Sequence, residues 1–289
     1  MNGEELKYIR DLAARQAGID LEPDKHYLIE ARLGSLARKQ GFASISALVS
    51  RLKEATSSPL HSQVVEALTT QETSFFRDVH PFDALRQAII PELMARRSRE
   101  GGTRRLDIWC GAASTGQEPF SLAMLLREHF PQITGWQVRI IATDLSDAAL
   151  LRANEGRFNQ VEVTRGLDPA LRKRYFKEDT AGWRIRDEIR QMIEFRKLNL
   201  LHPWSELPKM DLILMRNVLI YFSVPVKKEM LRRLHGQLRP DGCLLLGAAE
   251  TTLHLHDAFD VVHLERTAYY RPAKPAQQHK TSLSGSRKG

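Results

Sequence analysis

Apolar positions within the first 75 residues recur every three to four residues, which is the spacing of amphipathic helices. Two such stripes are present: Leu6, Ile9, Leu12 and Ala13, followed by Leu28, Ile29, Leu33 and Leu36. Short polar breaks at 18–20 and 41–44 separate the predicted helices, and Ser44 is placed to cap the next one. A further helix is predicted from Pro59 to Leu68. Residues 1–75 are therefore predicted to form an all-α domain.

From Arg104 onward, short apolar strands alternate with helices. The predicted strands lie at 105–110, 137–145, 211–215 and 243–247, and the predicted helices at 118–128, 146–153 and 226–238. This alternation predicts an α/β fold with a mostly parallel sheet that is covered by helices on both faces. Two closing strands near 259–264 and 268–271 are joined by a short turn and are predicted to form an antiparallel hairpin at one edge.

Two segments depart from this alternation. Residues 155–197 carry a helix signal near 169–176 and short strand signals near 183–185 and 192–195, which predicts a small β insertion. The sheet domain as a whole is expected to span residues 76–272. Residues 273–289 are polar and rich in Pro and Ser, and they are predicted to be a disordered tail.

The composition favours certain partners and a location, but it does not identify the function of the protein. The net charge of +8 and the pI of about 9.6 favour acidic partners, although the predicted tail contributes part of this charge. No apolar run approaches the ~20 residues that cross a bilayer, and the N-terminus carries no secretory signal, so we expect a cytoplasmic protein. Cys110 and Cys243 match no metal or redox spacing, and the pair His254 and His256 lacks a third ligand.

Candidate ligand-binding residues follow the first two strands of the sheet. The first strand ends in a small-residue turn between Gly111 and Gly116, where the backbone can approach a ligand closely. The second strand ends at Asp144, whose carboxylate can accept both hydrogen bonds of a ribose diol. Ligands of open α/β sheets bind beyond the carboxyl ends of the strands, so these residues predict a nucleoside-containing cofactor.

A nicotinamide cofactor is the first alternative for such a site. The glycine pattern of dinucleotide-binding turns is absent, and Glu118 occupies the helix start where a pyrophosphate would need positive charge. A carboxylate there suits a cationic ligand, such as a sulfonium that also carries an amino group. The competing interpretations are local: Glu118 can simply stabilise its helix, and Asp144 can cap the next one.

Six motif blocks occur in order along the chain: TQETSFFRD (70–78), WCGAASTGQEPFSLAM (109–124), ATDLS (142–146), LNLL (198–201), DLILMRNVLIYF (211–222) and LRPDGCLLLGAAE (238–250). With these blocks, the chain closely resembles the chemotaxis receptor methyltransferases over about residues 1–272. The resemblance implies a Rossmann-like class I sheet that binds S-adenosylmethionine without a metal. It also implies transfer of the methyl group to glutamate carboxylates of chemoreceptors during sensory adaptation.

The resemblance also implies roles for individual residues. The cofactor would contact Gln71, Thr73, Arg77, Glu118, Asp144, Asn199, Leu200, Arg216 and Asn217. Gln71 departs from the family pattern, which has Asn there, and its side chain is one methylene longer. Phe120 likewise replaces a common Tyr.

Arg77 and Tyr221 are the candidate catalytic residues. A glutamate side chain, with a pKa near 4.3 in model peptides, is already ionised at neutral pH, so methyl transfer to it needs no strong general base. The enzyme has mainly to orient the carboxylate, and the planar fork of Arg77 and the hydroxyl of Tyr221 are suited to that task. The alternatives are a structural salt bridge for Arg77 and core packing for Tyr221.

The expected partner is the helical cytoplasmic bundle of a chemoreceptor. In the resembled family a basic helix docks on this bundle, and Arg32 and Arg38 match positions on it, although such charges are usually only a solvated face. Some members also bind a receptor C-terminal pentapeptide through a Gly-rich loop. Here the corresponding loop, 177–182, is KEDTAG, so tight pentapeptide binding is not expected.

Two other function classes compete with this hypothesis. A nucleic-acid methyltransferase is compatible with the basic charge, but the chain lacks an Asn/Asp-Pro-Pro-Tyr/Phe motif and a catalytic Cys in a plausible loop. A non-catalytic module that binds the cofactor would not need Arg77, Glu118, Asp144 and Tyr221 together. We expect a monomer that inserts into no membrane and binds no nucleic acid.

Overall fold

The computed structural model describes residues 1–22, 24, 26–99 and 104–273. The predicted disordered tail, 273–289, lies outside these residues except for Ala273. No helix in the described part of the chain is long and apolar enough to cross a membrane.

The chain begins with a helical domain whose amphipathic helices share one core. Its helices are α1 (Gly3–Ala17), α2 (His26–Lys39), α3 (Ile45–Lys53) and α4 (Pro59–Leu68). Ser44 caps α3 as predicted, because its side chain accepts a hydrogen bond from the Ala47 N–H at 3.1 Å. The predicted stripes enter the core with one exception: Leu28 is 38% exposed, whereas its neighbour Ile29 is buried.

A long helix connects the two domains and was not predicted. It runs as α5 (His80–Ala84), a π-helical segment (Leu85–Ile89) and α6 (Ile90–Arg99). Pro91 explains the interruption, because proline has no N–H to donate and its ring crowds the carbonyl four residues earlier. The wider π turn immediately before Pro91 accommodates both effects.

The described residues form ten strands in two sheets. They are β1 (Arg105–Gly111), β2 (Gln137–Asp144), β3 (Arg157–Phe158), β4 (Phe176–Asp179), β5 (Gly182–Ile185), β6 (Ile193–Lys197), β7 (Met210–Met215), β8 (Leu238–Leu246), β9 (Phe259–Leu264) and β10 (Thr267–Pro272). The large sheet has the order β6-β2-β1-β7-β8-β10-β9. Its first five strands in this order are parallel, and β10 pairs antiparallel with both β8 and β9.

Both faces of the large sheet are buried, as expected for central parallel strands. The remaining helices are α7 (Gln117–His129), α8 (Asp147–Glu155), α9 (Gln160–Thr164), α10 (Pro169–Tyr175), α11 (Asp187–Arg190) and α12 (Val224–Gln237), with 3₁₀ turns at Pro131–Gly135 and Leu219–Tyr221. Consecutive residues of β1 enter different cores: Ile108 packs in the cluster that contains α7, and Trp109 in the cluster that contains α12. The fold is therefore the predicted mostly parallel α/β arrangement.

The small sheet, with the order β3-β5-β4, packs against the segment that carries Arg77. Phe75 meets the rings of Phe158 and Phe176 edge-on, with centroids 5.0 and 5.5 Å apart. Gly166 lies so close to this segment that an added Cβ would be 2.0 Å from the Phe75 carbonyl oxygen. The strand signal near 192–195 belongs elsewhere: β6 pairs with β2 and forms one edge of the large sheet.

Buried charges join the strands at the end opposite to the predicted ligand site. The Arg97 guanidinium bonds Asp211 at 2.6 Å and Asp241 at 2.7 Å, and Asp211 also accepts the Asp107 N–H at 2.7 Å. The Arg97 and Asp211 side chains are only 8% and 1% exposed. Removal of Arg97 would leave the buried Asp211 carboxylate with the more distant and more exposed Arg239, at 3.3 Å, which compensates its charge less well.

We expect Arg97→Ala to lower the free energy of unfolding by about 3–5 kcal/mol, because Asp211 would lose its closest cation in the interior. Urea denaturation followed by circular dichroism measures this change. Arg232→Ala is the matched control, since its pair with Glu229 is largely exposed and its removal should leave the midpoint unchanged. Equal midpoints for the two variants would contradict the prediction.

Candidate active site

A cavity lies at the carboxyl ends of the parallel strands, where the order of the large sheet reverses between β1 and β7. The predicted residues that line it are Gln71, Thr73, Arg77, Glu118, Asp144, Asn199, Leu200, Arg216, Asn217 and Tyr221. The helical domain forms one wall through Ala17, Ile19 and Leu68. The fold thus gathers ten residues from five separated segments around one cavity, at the position where α/β sheets bind ligands.

The turn after β1 is held in an uncommon backbone conformation. Ala112 and Ser114 have φ values of 54° and 51°, a region that residues with a side chain seldom occupy. Gly116, at φ 94°, begins α7, and an added Cβ would be 2.9 Å from the Phe120 ring. The Ala113 N–H donates to the Thr143 carbonyl at 2.9 Å, which ties the turn to β2. Such local strain, held by its surroundings, is typical of ligand-binding turns.

Asp144 joins the ends of the first two strands. It is 6% exposed and accepts the backbone N–H groups of Ser114 at 2.8 Å and Ser146 at 2.9 Å. Burial raises the pKa of the Asp144 carboxyl, and these two hydrogen bonds oppose the rise. Each carboxylate oxygen accepts one of the two bonds and keeps capacity for another, so Asp144 can still bind a ligand hydroxyl.

Glu118 and Arg216 form a buried ion pair on the floor of the cavity. The distance from Arg216 Nη1 to Glu118 Oε2 is 2.6 Å, and the two side chains are 1% and 12% exposed. Burial raises the pKa of Glu118, and the charge and hydrogen bond of Arg216 oppose this effect. The other Arg216 nitrogen, Nη2, donates to Asp78 Oδ2 at 2.8 Å and to the Arg77 carbonyl at 2.9 Å. Arg216 therefore links the start of α7 to the segment that carries Arg77.

That segment is itself strained. Phe76, Asp78 and Val79 have φ values of 45°, 68° and 51°. Its backbone is fixed on two sides, because the Phe76 N–H donates to Ser121 Oγ at 2.9 Å while Arg216 binds the next two residues. Arg77 lies between the strained residues, and its guanidinium donates to the Glu72 carbonyl at 3.0 Å. Most of its N–H donors remain available for other partners.

Gln71 carries an unsatisfied acceptor in the cavity wall. Its Nε2 donates to Thr69 Oγ1 at 3.0 Å, whereas its buried Oε1 has no hydrogen-bond partner among the described residues. A buried acceptor without a donor is costly unless a ligand supplies one. With Glu118 and Asp144 nearby, the cavity offers several acceptors of hydrogen bonds, which fits a ligand that carries an ammonium group and ribose hydroxyls.

Asn199 and Tyr221 connect the site to the helical domain. Asn199 Nδ2 donates to the Gln16 carbonyl at 2.6 Å, and its Oδ1 accepts the Leu201 N–H at 3.0 Å. Tyr221 ends a 3₁₀ turn, and its backbone carbonyl accepts the Asp20 N–H at 2.8 Å. The Asn199 amide thus already has protein partners, while the Tyr221 side chain lines the cavity.

Glu250, which the sequence reasoning missed, binds the backbone of the loop that carries Asn217 and Tyr221. Its carboxylate accepts four backbone N–H groups: Gly247 at 2.6 Å, Asn217 at 2.8 Å, Val218 at 2.8 Å and Ile220 at 3.2 Å. It thereby fixes the loop between Arg216 and Tyr221, including Asn217 at φ 58°. The signal was present, since Glu250 follows a buried strand just as Asp144 does.

The two arginines predicted to bind a receptor differ in their surroundings. Arg32 is half-buried and donates to the Leu68 carbonyl at 2.5 Å and to Thr70 Oγ1 at 3.0 Å. Arg38 lies one and a half turns further along α2 and is exposed. Neither lines the cavity. Arg32 holds the end of α4, and Arg38 faces solvent.

Potential metal ligands and free thiols are two further kinds of chemical group in the described part of the chain. No group of three or more His, Cys, Asp or Glu side chains there is arranged to hold a metal ion. Cys110 and Cys243 are free and buried, and burial raises the pKa of both thiols.

The sheet order, with Glu118 at the start of α7 and Asp144 at the end of β2, defines a Rossmann-like fold whose ligand site lies at the switch point of the sheet. A family model for the CheR methyltransferase SAM-binding domain matches residues 71–268, and one for the CheR methyltransferase all-alpha domain matches residues 4–69. The chain therefore belongs to the CheR methyltransferase family, and its larger domain is an S-adenosylmethionine-binding methyltransferase domain.

Curated relatives agree with this assignment over nearly the whole chain. Chemotaxis protein methyltransferase 1 of Pseudomonas aeruginosa is 40% identical over 92% of this chain and 97% of its own length. Chemotaxis protein methyltransferase Cher2 of Pseudomonas putida is 37% identical with the same coverage of both chains. A solved TehB-like SAM-dependent methyltransferase from Corynebacterium glutamicum matches 62% of this chain and 87% of its own length at 12% identity, with a TM-score of 0.37.

We expect Glu250→Ala to weaken cofactor binding and to lower the free energy of unfolding by about 1–3 kcal/mol, since four N–H groups would lose their acceptor. Calorimetric titration with S-adenosylhomocysteine and urea denaturation measure the two effects. Glu250→Gln keeps one acceptor oxygen but directs an NH₂ group at the remaining donors, so it should fall between the wild type and Glu250→Ala. A wild-type affinity in Glu250→Ala would contradict this role.

Proposed function

We propose that this enzyme transfers the methyl group of S-adenosylmethionine to glutamate side-chain carboxylates of a chemoreceptor, giving methyl esters. The observation that carries the proposal is the make-up of the cavity wall. Its charged members are carboxylates and arginines, and none of the lining residues is a His, Lys or Cys that would serve as a general base or nucleophile. An ionised carboxylate needs no base, whereas an amine or hydroxyl acceptor must lose a proton.

The residues proposed to bind the cofactor would contact different chemical groups of it. Glu118 would attract the ammonium group of the amino-acid portion, and Asp144 would accept the ribose hydroxyls. The free Oε1 of Gln71 would accept a further ligand N–H or O–H, and its extra methylene relative to the family's Asn still leaves it in the cavity wall. When bound, the cofactor supplies a methyl group on a cationic sulfur.

Arg77 and Tyr221 would act on the acceptor. The Arg77 fork can bind one glutamate carboxylate and hold it in line with the methyl group, and the Tyr221 hydroxyl can fix its second oxygen. The strained backbone around Arg77 supports this role, because it places the guanidinium at the cavity rather than against the protein surface. Walls contributed by Ala17, Ile19 and Phe222 would exclude water from the reacting groups.

The partner proposal depends on Arg38 more than on Arg32. An exposed arginine on α2 is free to pair with acidic residues of a receptor helix, whereas the Arg32 guanidinium is engaged by Leu68 and Thr70. The loop considered for a receptor C-terminal pentapeptide is a short hairpin turn between β4 and β5, so we still expect no tight binding there. Cytoplasmic location and a monomeric state remain part of this proposal.

The test of the proposed function is transfer of radiolabelled methyl from S-adenosylmethionine to membranes that contain candidate chemoreceptors. A carboxyl methyl ester is expected, and mild alkali should release its label as methanol. Alkali-stable label on protein or nucleic acid would overturn the proposed acceptor. Absence of label despite measurable cofactor binding, with every candidate receptor supplied, would favour a non-catalytic module.

In the same assay we expect Arg77→Ala to reduce turnover about 10²-fold, because a misplacement of about 1 Å at the reacting centre can cost that much. Tyr221→Phe should reduce turnover about tenfold through the loss of one hydrogen bond. Arg232→Ala, an exposed site on α12, serves as the control. Wild-type turnover and cofactor affinity in both site variants would remove them from the mechanism.

We expect Arg38→Glu to raise KM for the receptor and to reduce the dependence of KM on salt, while cofactor affinity stays unchanged. Steady-state methylation at several ionic strengths and calorimetry measure the two properties. Arg32→Glu should weaken both receptor binding and cofactor binding, because the end of α4 would lose its hydrogen bonds. An unchanged KM in Arg38→Glu would exclude that part of α2 from receptor binding.

A further inference from the structure

The last turn of α4, in the helical domain, contacts the start of α8 in the methyltransferase domain. The Glu66 carboxylate accepts a hydrogen bond from the Ser146 hydroxyl and another from the Ala148 N–H at 3.2 Å. Ser146 is already the N-cap of α8, because its Oγ accepts the Ala149 N–H at 3.0 Å. Glu66 therefore adds a second cap, from a distant part of the chain, to a helix that begins three residues after Asp144.

This contact continues directly to Asp144. The Ser146 N–H donates to Asp144 Oδ1 at 2.9 Å, while Asp144 Oδ2 accepts the Ser114 N–H at 2.8 Å. Ser146 is thus held from one side by Glu66 and holds Asp144 on the other. A negative charge at a helix N-terminus is also favourable, because the free N–H groups and the helix dipole are positive there.

The same turn of α4 reaches the cavity by a second route. The Glu66 carbonyl accepts from Thr69 Oγ1 at 2.7 Å, and Thr69 Oγ1 in turn accepts from Gln71 Nε2 at 3.0 Å. Gln71 and Asp144 both line the cavity. One residue of α4 is therefore connected to two cavity residues that lie on different segments of the chain.

We propose that Glu66 is a positioning residue for cofactor binding, through which the helical domain sets the orientation of Asp144. If Glu66 is removed, the Ala148 N–H and the Ser146 O–H lose their acceptor at the helix start. Asp144 is joined to Ser146 and can turn toward those donors, and this would draw it away from Ser114 and from the cavity. The inference rests on the proposed role of Asp144 as a cofactor ligand and is independent of the acceptor substrate.

Calorimetric titration of the full chain with S-adenosylhomocysteine tests the proposal. We expect Glu66→Ala to weaken affinity about tenfold, the usual effect of one charged hydrogen bond. Glu66→Gln should restore most of it, since the amide oxygen can accept both bonds. Glu162→Ala is the control: Glu162 caps α9 by accepting the Asn159 N–H at 2.8 Å, and it should leave affinity unchanged.

A double-mutant cycle separates positioning from a general loss of stability. In an Asp144→Ala background, Glu66→Ala should change affinity less than about twofold, because the group that it positions is gone. A full tenfold effect in that background, or wild-type affinity in Glu66→Ala alone, would overturn the proposal. Wild-type affinity in Asp144→Ala would instead overturn the proposed cofactor site, and the inference with it.

Thermal unfolding of each variant shows whether it is folded at the titration temperature. Should Glu66→Ala not fold, Ser146→Ala provides a similar comparison, because it removes the hydroxyl that donates to Glu66. The expected loss of affinity is again about tenfold and should again vanish in the Asp144→Ala background. Wild-type affinity in Ser146→Ala would then overturn the proposal.

Discussion

Arg216 carries a charge that is almost wholly removed from water, and the geometry of the site depends on how that charge is compensated. Its guanidinium binds Glu118 at the start of α7 and, on the other side, Asp78 and the Arg77 carbonyl. A buried cation is tolerated only with partners of this kind. The partners that compensate the Arg216 charge therefore hold the end of β7, the start of α7 and the strained segment around Arg77 together.

The two other strand ends are organised by carboxylates in the same manner. Asp144 accepts N–H groups from the turn after β1 and from the start of α8, and Glu250 accepts four from the loops after β7 and β8. In each case a buried anion is stabilised by backbone donors that point inward from loops. The loops would otherwise carry unpaired N–H groups, so the charges that suit a cationic cofactor also give the loops their conformation.

The helical domain takes part in the site and does not merely precede it. Gln16 accepts from Asn199, Asp20 donates to the Tyr221 carbonyl, and Arg32 binds the last carbonyl of α4 and Thr70. These contacts place the domain that is expected to meet a receptor directly against the walls of the cofactor cavity. The surface proposed to bind a receptor and the cofactor cavity are therefore joined by a short physical route, through α4 and the residues that follow it.

The sequence by itself determined the order of the predicted helices and strands and the two acidic cavity residues that follow the first two strands. Helical periodicity located α1 to α4, alternation of strands and helices gave a parallel sheet, and acidic residues at strand ends gave Glu118 and Asp144. These features are encoded within short windows of the chain, because amphipathic spacing and strand-end position are local properties. Family resemblance added Arg77, Tyr221 and the residues of the later loops.

The tertiary structure alone decided what these residues touch. Glu118 and Arg216 are 98 residues apart, and no local pattern shows that they form an ion pair. The same holds for the four donors around Glu250, for the cap that Glu66 provides to α8, and for the place of β6 at the edge of the large sheet. The helix broken by a π turn before Pro91 was missed because proline obscured its periodicity. Partners that are distant in sequence are selected by packing and by the need to satisfy buried charge, and both exist only once the chain has folded.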